Sequence, residues 1–158
     1  MQIPLVDLKR CTRSIQEKIE NKIKAVLQRC NFILGEEVQE LEKAIAEYSG
    51  ASFGIGVSSG TDALLVSLMA LDLKPGDCVI TTAYSFFATA GVIARLKAVP
   101  VFVDIDSNTY NISPQKLKET IEKLLRKKPI KAIIPVHLFG QCADMDEILD
   151  LSLIHISE

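Results

Sequence analysis

The sequence predicts an α/β fold in which a mostly parallel sheet lies between layers of helices. Short apolar segments recur after residue 50, and stretches of about 10–15 residues with helical periodicity separate them. Turn residues such as Lys74-Pro75-Gly76-Asp77 lie at the junctions. Strands that are apolar throughout are typical of parallel sheets covered on both faces, so the three observations favour the same architecture.

The first 50 residues are predicted to form a separate helical segment. From about Ser14, apolar residues recur at helical spacing with charged residues between them. The pattern breaks near Asn31–Gly35, and a second helix is expected to end around Ser49-Gly50, because glycine commonly terminates helices. The apolar positions of the two helices are Ile15, Ile19, Ile23, Val26 and Leu27, followed by Val38, Leu41, Ala44 and Ile45.

Residues 51–150 are predicted to form the α/β domain. The expected elements are a strand at 53–57, a helix at 61–71, a strand at 78–81, a helix at 87–96, a strand at 99–103, a helix from 114 to about 127, a strand at 131–136 and a helix that begins at 144. Parallel sheets bind ligands at the carboxyl ends of their strands. Polar or aromatic segments follow Val57, Thr82, Val103 and Val136, which predicts a single site at that edge.

The composition is that of an ordinary globular protein. The 158 residues are 48% hydrophobic and 24% charged, and the formal net charge of −2 would not attract nucleic acid. No apolar run reaches the roughly 20 residues of a membrane helix. The four cysteines are scattered without a Cys-x-x-Cys pair, which argues against a metal site and indicates reduced thiols in the cytoplasm.

The clearest functional signal lies in Gly54–Leu65, where an apolar segment passes through a hydroxyl-rich turn into a helix. We call Ser58–Asp62 the phosphate cup. The free amides of a first helical turn, the helix dipole and nearby hydroxyl groups favour an anion. The glycine spacing matches neither the dinucleotide fingerprint nor a Walker loop. An ordinary helix N-cap uses the same residue types, so the residues alone leave both interpretations open.

The cup and five other blocks resemble the DegT/DnrJ/EryC1/StrS family of nucleotide-sugar aminotransferases, which use pyridoxal 5'-phosphate (PLP). The resemblance covers residues 3 to about 150. In chain order the other blocks are Ile3–Leu8, Phe32–Val38, Tyr84–Ala90, Val101–Asp106 and Pro135–Gln141. Each block is weak alone, but together they stand in the order of the family. The resemblance implies the N-terminal part of the large domain of a fold-type I PLP transferase, with the sheet incomplete.

The resemblance also implies residues that bind PLP. These are Ser59, Gly60, Thr61, Asp62, Phe86 and His137. In the family, the turn holds the phosphate through backbone amides and the threonine hydroxyl, and an aromatic ring at the position of Phe86 lies flat on the pyridine ring. His137, expected to end the strand at 131–136, would line the pocket, although a lone histidine there is more often a hydrogen-bonded core residue. We interpret Phe87 as a core residue.

Other polar residues have plainer interpretations. Asp104 and Asp106 follow a strand and precede Ser107-Asn108, so turn and capping roles are expected rather than acid–base chemistry. A basic cluster is interleaved with Glu119 and Glu122 and is expected to be a solvated face. Its members are Lys116, Lys118, Lys123, Arg126, Lys127, Lys128 and Lys131.

The resemblance implies an enzyme that aminates a nucleotide-linked keto-sugar, with glutamate as the amino donor and a homodimer as the working unit. The segments at Ile3–Leu8 and Thr109–Ile112 are more similar to the branch that acts at C-3 of the sugar. A PLP-dependent sugar dehydratase and a non-catalytic regulatory relative are the alternatives. A nucleotide-binding Rossmann module is disfavoured, because it requires a tighter glycine pattern.

The family's Schiff-base lysine and its carboxylate partner for the pyridine nitrogen lie downstream of the matching blocks. No lysine in this chain can be assigned that role, so no catalytic residue is expected here. The string Leu151–Glu158 departs from the family pattern and is interpreted as a non-native tail that could still continue the last helix. The isolated chain is therefore expected to be inactive. It is also expected to be poorly soluble, because the missing strands would leave an exposed sheet edge and an uncovered apolar face.

Overall fold

The computed structural model describes residues 6–125 and 127–156. Residues 3–5 of the first family block, Arg126 of the basic cluster and residues 157–158 of the expected tail lie outside the described residues. The chain divides into two compact units after Gly56. The sequence predicts this boundary earlier, after Gly50.

The first unit contains three helices in its described part: α1 (Leu8–Arg13), α2 (Gln16–Arg29) and α3 (Glu36–Ser49). The two longer helices were predicted, whereas α1 was not. Asp7 provides the signal for α1, because its Oδ1 accepts a hydrogen bond from the Arg10 amide at 3.1 Å and so caps the helix. Helix α3 ends at Gly50, whose φ of 69° is left-handed, as predicted from the glycine.

The strand predicted at 53–57 is not present. The segment follows α3 instead, and the amide of Gly56 donates a hydrogen bond to Glu42 Oε1 at 2.7 Å. The Gly54 backbone lies so close that a Cβ there would be 2.3 Å from the Glu42 carbonyl oxygen. A strand needs a neighbouring strand to bond its backbone, and within the described residues this segment has none. Phe53 and Ile55 are consequently exposed.

The second unit is the predicted α/β domain. Its elements are α4 (Gly60–Ala70), β1 (Cys78–Thr82), α5 (Ala88–Arg95), β2 (Val99–Val103), α6 (Pro114–Leu124), β3 (Ile130–Ile134), a single 3-10 turn (Leu138–Gly140) and α7 (Met145–Ile156). Within the described residues the strands form one three-stranded sheet in the order β2-β1-β3. Both pairings are parallel, which confirms the predicted sheet type.

Two apolar layers cover the opposite faces of this sheet. Successive residues of β1 point to different layers: Val79 packs with α4 and α5, and Ile80 packs with α6 and α7. All of β1 is buried, as expected for the central strand. The first layer contains Leu68, Val79, Val92, Ile93 and Ala98, and the second contains Ile80, Val103, Ile112, Leu117, Ile121, Ala143 and Ile148.

The strand ends explain where the predicted boundaries fail. Strand β2 spans the predicted residues, but β3 stops at Ile134, before Pro135, which has no amide hydrogen to bond. Helix α6 begins at Pro114 as predicted, with Ser113 as its N-cap, and ends at Leu124 rather than near residue 127. Helix α7 continues through Ile156.

Candidate functional site

Side-chain hydrogen bonds close the phosphate cup on itself. The Ser59 hydroxyl accepts a hydrogen bond from the Asp62 amide at 3.1 Å and donates to Asp62 Oδ2 at 3.2 Å. The Ser58 hydroxyl donates to the same carboxylate oxygen. Ser59 is therefore the N-cap of α4, and both serines are directed toward Asp62.

The same hydrogen bonds set the charge of the cup. They stabilise the ionised carboxylate and lower the pKa of Asp62, with Ser58 as the largest contribution and Ser59 as the next. Arg95 of α5 lowers this pKa slightly further through its positive charge. The cup thus carries a fixed negative charge beside a helix N-terminus.

Two backbone amides of the cup stay available to a ligand. The Asp62 amide bonds to Ser59 Oγ, and the Ala63 amide bonds to the Ser59 carbonyl at 2.9 Å. Among the residues that the structure describes, the amides of Gly60 and Thr61 have no hydrogen-bond partner. A Cβ at Gly60 would meet no atom within 4 Å, so there is open space beside this residue at the start of the helix. With the exposed Thr61 side chain, this arrangement fits the predicted phosphate group.

The predicted stacking residue lies in the loop that leaves β1. Phe86 is 77% exposed, so its ring is free of the protein core. Ser85 and Thr89 share a hydroxyl hydrogen bond of 2.8 Å on either side of it, and the Thr89 amide donates to the Phe86 carbonyl at 3.1 Å. The loop is thus held in a defined shape at the start of α5.

The interpretation of Phe87 as a core residue is wrong, because this side chain is 83% exposed. Its ring lies over Gly91, one turn later in α5, where an added Cβ would be 3.1 Å from the ring. Both faces of the sheet are filled by aliphatic side chains, and the buried positions of α5 begin at Ala88.

His137 does not end a strand, since β3 stops at Ile134 and His137 is an exposed residue of the loop beyond it. Its Nδ1 accepts a hydrogen bond from the Ala143 amide at 3.0 Å. The expectation of a buried strand residue is therefore wrong, whereas the expected hydrogen bond is present. The neutral ring carries its proton on Nε2, which is left as a donor.

Of the two aspartates after β2, Asp106 has the predicted turn role, whereas Asp104 forms an ion pair with Lys116. Asp106 accepts hydrogen bonds from the amides of Asn108 and Thr109, and these bonds lower its pKa. Lys116 donates to Asp104 at 2.7 Å, and this contact is the largest cause of the lowered pKa of Asp104.

The lysines of the basic cluster that the structure describes are exposed.

Sequence reasoning missed the residues that join the loops at this edge of the sheet. The rings of Tyr84 and Tyr110 lie 6.0 Å apart and connect the loops after β1 and β2. Asn111, which is 3% exposed, bonds to the loop after β3. Tyr110, which precedes Asn111, has a left-handed φ of 59°. The sequence shows a polar residue beside a tyrosine but does not identify its partners.

The loops that carry Phe86 and His137 leave the same edge of the sheet, because β1 and β3 are parallel neighbours. The cup's side-chain hydrogen bonds are all local. A cavity of about 430 Å³ lies beside the loops after β2 and β3, with Asp106, Asn111 and Cys142 in its wall, and none of the six predicted cofactor residues lines it.

An α/β domain with an open phosphate cup and aromatic and histidine loops after its strands has the features of a phosphate-cofactor enzyme. A family comparison makes the assignment specific. Residues 13–155 match the model of the DegT/DnrJ/EryC1/StrS aminotransferase family, and the chain belongs to this family.

Two curated relatives illustrate the range of the family. The UDP-2-acetamido-2-deoxy-3-oxo-D-glucuronate aminotransferase of Pseudomonas aeruginosa is 47% identical over 92% of this chain and 39% of its own length. A pleiotropic regulatory protein of Geobacillus stearothermophilus is 45% identical over 98% of this chain and 40% of its own length. The chain spans about 40% of the length of these relatives.

Solved structures give the same fold. A family aminotransferase from Brucella abortus superimposes with a TM-score of 0.94 at 35% identity, over 98% of this chain and 42% of that one. The E. coli GDP-4-keto-6-deoxy-D-mannose-3-dehydratase, solved with hydrated PLP, has a TM-score of 0.76 at 34% identity, over 84% of this chain and 34% of that one. The fold is therefore that of fold-type I PLP enzymes.

Among the described residues, no helix has the length and apolarity needed to cross a membrane.

Proposed function

We propose that this chain is part of a PLP-dependent aminotransferase that moves the amino group of glutamate to the keto group of a nucleotide-linked sugar. The observation that carries the proposal is the pair of unbonded amides at Gly60 and Thr61, at the N-terminus of α4, with open space beside Gly60. The named activity of the P. aeruginosa relative supports the substrate class.

In this proposal the residues of the chain bind and orient the cofactor. The amides of Gly60 and Thr61, with the Thr61 hydroxyl, hold the phosphate, and Ser59 and Asp62 keep the turn in shape. The exposed ring of Phe86 is available to lie against the pyridine ring, and Nε2 of His137 is available to donate a hydrogen bond. When bound, PLP supplies the electron sink that amino transfer requires.

Two other functions remain as alternatives. The match to the E. coli dehydratase supports a sugar dehydratase, and the match to the G. stearothermophilus protein supports a regulatory function. The sequence of the source gene past the codon for Asp150 distinguishes them. A Glu-Asp-Ala-Ala-Gln-like segment followed by a lysine supports the aminotransferase. A histidine or another residue in place of that lysine supports the dehydratase, and a stop after Glu158 contradicts catalysis by this chain.

The proposal includes an assembly and a compartment. We place the enzyme in the cytoplasm, which the four free cysteines support, and we expect the working unit to be a homodimer by analogy with the family. None of the chain's lysines matches the family's lysine, so we expect no turnover from the 158 residues alone. Residues 1–50, 51–150 and 151–158 remain our proposed helical segment, cofactor domain and non-native tail.

Binding of phosphate compounds tests the site directly. Backbone amide signals of the labelled chain would be followed during titration with inorganic phosphate and with pyridoxine phosphate, which lacks the aldehyde that reacts with lysines. We expect saturable shifts at Gly60 and Thr61. Gly60→Ala adds a methyl group at the proposed site and should weaken binding roughly tenfold, the effect of losing one hydrogen bond to a charged group.

Ser67→Ala is the matched control, because Ser67 lies on α4 and, within the described part of the chain, its hydroxyl bonds only to the Ala63 carbonyl. This variant should bind both phosphates as the unchanged chain does. Shifts confined to the lysines of α6, with none at the cup, would show that the phosphates bind to surface charge and would contradict the proposal.

A further inference from the structure

We propose that Asn111 is a positioning residue that fixes the loop after β3 and thereby sets which nitrogen of His137 carries the proton. The place of His137 in a cofactor site rests on the proposed function. The contacts between Asn111 and the loop do not depend on it.

The Asn111 side chain makes three hydrogen bonds to the backbone of this loop. Its Nδ2 donates to the carbonyl oxygens of Gln141 at 3.2 Å and Cys142 at 3.0 Å, and its Oδ1 accepts from the Leu138 amide at 3.1 Å. Asn111 is 3% exposed, so water does not replace these bonds readily. Both functional atoms of the amide are thus used, and no other side-chain group of this size is both donor and acceptor in this geometry.

The loop needs this support because its own backbone is tightly turned. Phe139 and Gly140 both have left-handed conformations, with φ values of 52° and 84°. Asn111 bonds on each side of these two residues, to Leu138 before them and to Gln141 and Cys142 after them. Without the amide, two carbonyls and one amide at the ends of the turn lose their side-chain partner, and an unpaired polar group is costly when buried.

The turn brings the two ends of the loop together at His137. The Ala143 amide reaches Nδ1 of His137 at 3.0 Å only because the chain reverses between them. A nitrogen that accepts this hydrogen bond cannot carry a proton, so the neutral imidazole is held with its proton on Nε2. Asn111 therefore acts on His137 through the loop, without touching the ring.

The test measures the tautomer of His137 directly in the full 158-residue chain, without any ligand. Nitrogen NMR distinguishes the protonated from the unprotonated ring nitrogen, and His137→Gln assigns the signals against those of His155. In the unchanged chain we expect one neutral tautomer, with the proton on Nε2. In Asn111→Ala, His137 should show the same mixture of tautomers as in the denatured chain. Hydrogen exchange of the Ala143 amide should be roughly tenfold faster, as expected for loss of one hydrogen bond.

Asn111→Asp is a second variant of nearly the same shape. It keeps an acceptor for the Leu138 amide but directs a carboxylate at two carbonyl oxygens, so it should lose the single tautomer as well. Asn108→Ala is the control, because Asn108 lies in the same turn and is exposed. This control should leave the tautomer and the Ala143 exchange rate unchanged.

Two results would overturn the proposal. One is a folded Asn111→Ala chain with a lower melting temperature but an unchanged tautomer and unchanged Ala143 exchange, because Asn111 would then be only a stabilising residue. The other is a tautomer mixture in the unchanged chain, which needs no variant to fold. Because no phosphate compound is present, failure here is distinguishable from failure of the binding test at the cup.

Discussion

Ser59 and Asp62 hold each other through two reciprocal hydrogen bonds. The Asp62 amide donates to the Ser59 hydroxyl at 3.1 Å, and that hydroxyl donates to the Asp62 carboxylate at 3.2 Å. The pair satisfies one amide of the first turn of α4 and leaves those of Gly60 and Thr61 without partners in the described structure. The same serine therefore begins the helix and leaves the two amides of the proposed phosphate site free.

Replacing the cap should destabilise the helix. Ser59→Ala removes both hydrogen bonds to Asp62, and we expect the free energy of unfolding to fall by about 1 kcal/mol, the usual cost of losing a helix N-cap. Urea denaturation followed by circular dichroism measures it. Ser67→Ala, farther along the same helix, should change stability by less than about 0.5 kcal/mol. Equal losses in the two variants would show that Ser59 has no capping role.

The pKa of Asp62 should respond more to Ser58 than to Ser59. Both serines stabilise the ionised carboxylate, so the folded-state pKa lies below the ordinary value, with Ser58 the larger contribution. The resulting stabilisation is complete above the ordinary pKa, near 3.9, and is lost as the pH falls through the folded-state pKa. Carboxyl-carbon NMR titration should show a larger rise for Ser58→Ala than for Ser59→Ala. No rise in either variant would exclude the hydroxyl groups as the cause.

Gly54 should tolerate no side chain. A Cβ at this position would lie 2.3 Å from the Glu42 carbonyl oxygen and 3.1 Å from its Cα, and these backbone atoms of α3 cannot move without distorting the helix. We expect Gly54→Ala to lower the free energy of unfolding by about 1–3 kcal/mol, as overpacking does. Gly60→Ala is the control for stability, because its Cβ would meet nothing within 4 Å. A Gly54→Ala chain with the same melting temperature as the unchanged chain would contradict this packing.

The same segment shows why apolar sequence alone does not identify a strand. Residues 53–57 and β2 are similarly apolar, but β2 pairs with β1 along its full length whereas 53–57 has no strand neighbour in the described structure. Periodicity records burial preference, and pairing depends on which segments meet in space. The end of β3 was missed by two residues for a local reason, since Pro135 cannot donate a backbone hydrogen bond.

The turn at Ser58–Asp62 could be predicted from the sequence because its hydrogen bonds are local. Ser58, Ser59 and Asp62 lie within one helical turn, so their hydrogen bonds follow from adjacent letters. Asn111 could not be found in this way, because its partners lie 27–31 residues later in the chain. The exposure of Phe87 also depends on tertiary packing, since aliphatic side chains from other elements already fill the core.

The neighbouring rings of Phe86 and Phe87 allow stacking to be separated from phosphate binding. Both side chains are largely exposed, at 77% and 83%, so removing either should change stability little. If Phe86 lies against the pyridine ring, Phe86→Ala should weaken binding of pyridoxine phosphate roughly fivefold, which corresponds to about 1 kcal/mol of aromatic contact. Binding of inorganic phosphate, which has no ring, should be unchanged.

Phe87→Ala is the control and should change the affinity for neither compound, because the Phe87 ring packs on Gly91 of its own helix. Titrations of both compounds against both variants measure all four affinities. The affinity for pyridoxine phosphate could instead fall as much in Phe87→Ala as in Phe86→Ala. That result would contradict a specific stacking role for Phe86 and would assign the effect to the loop in general.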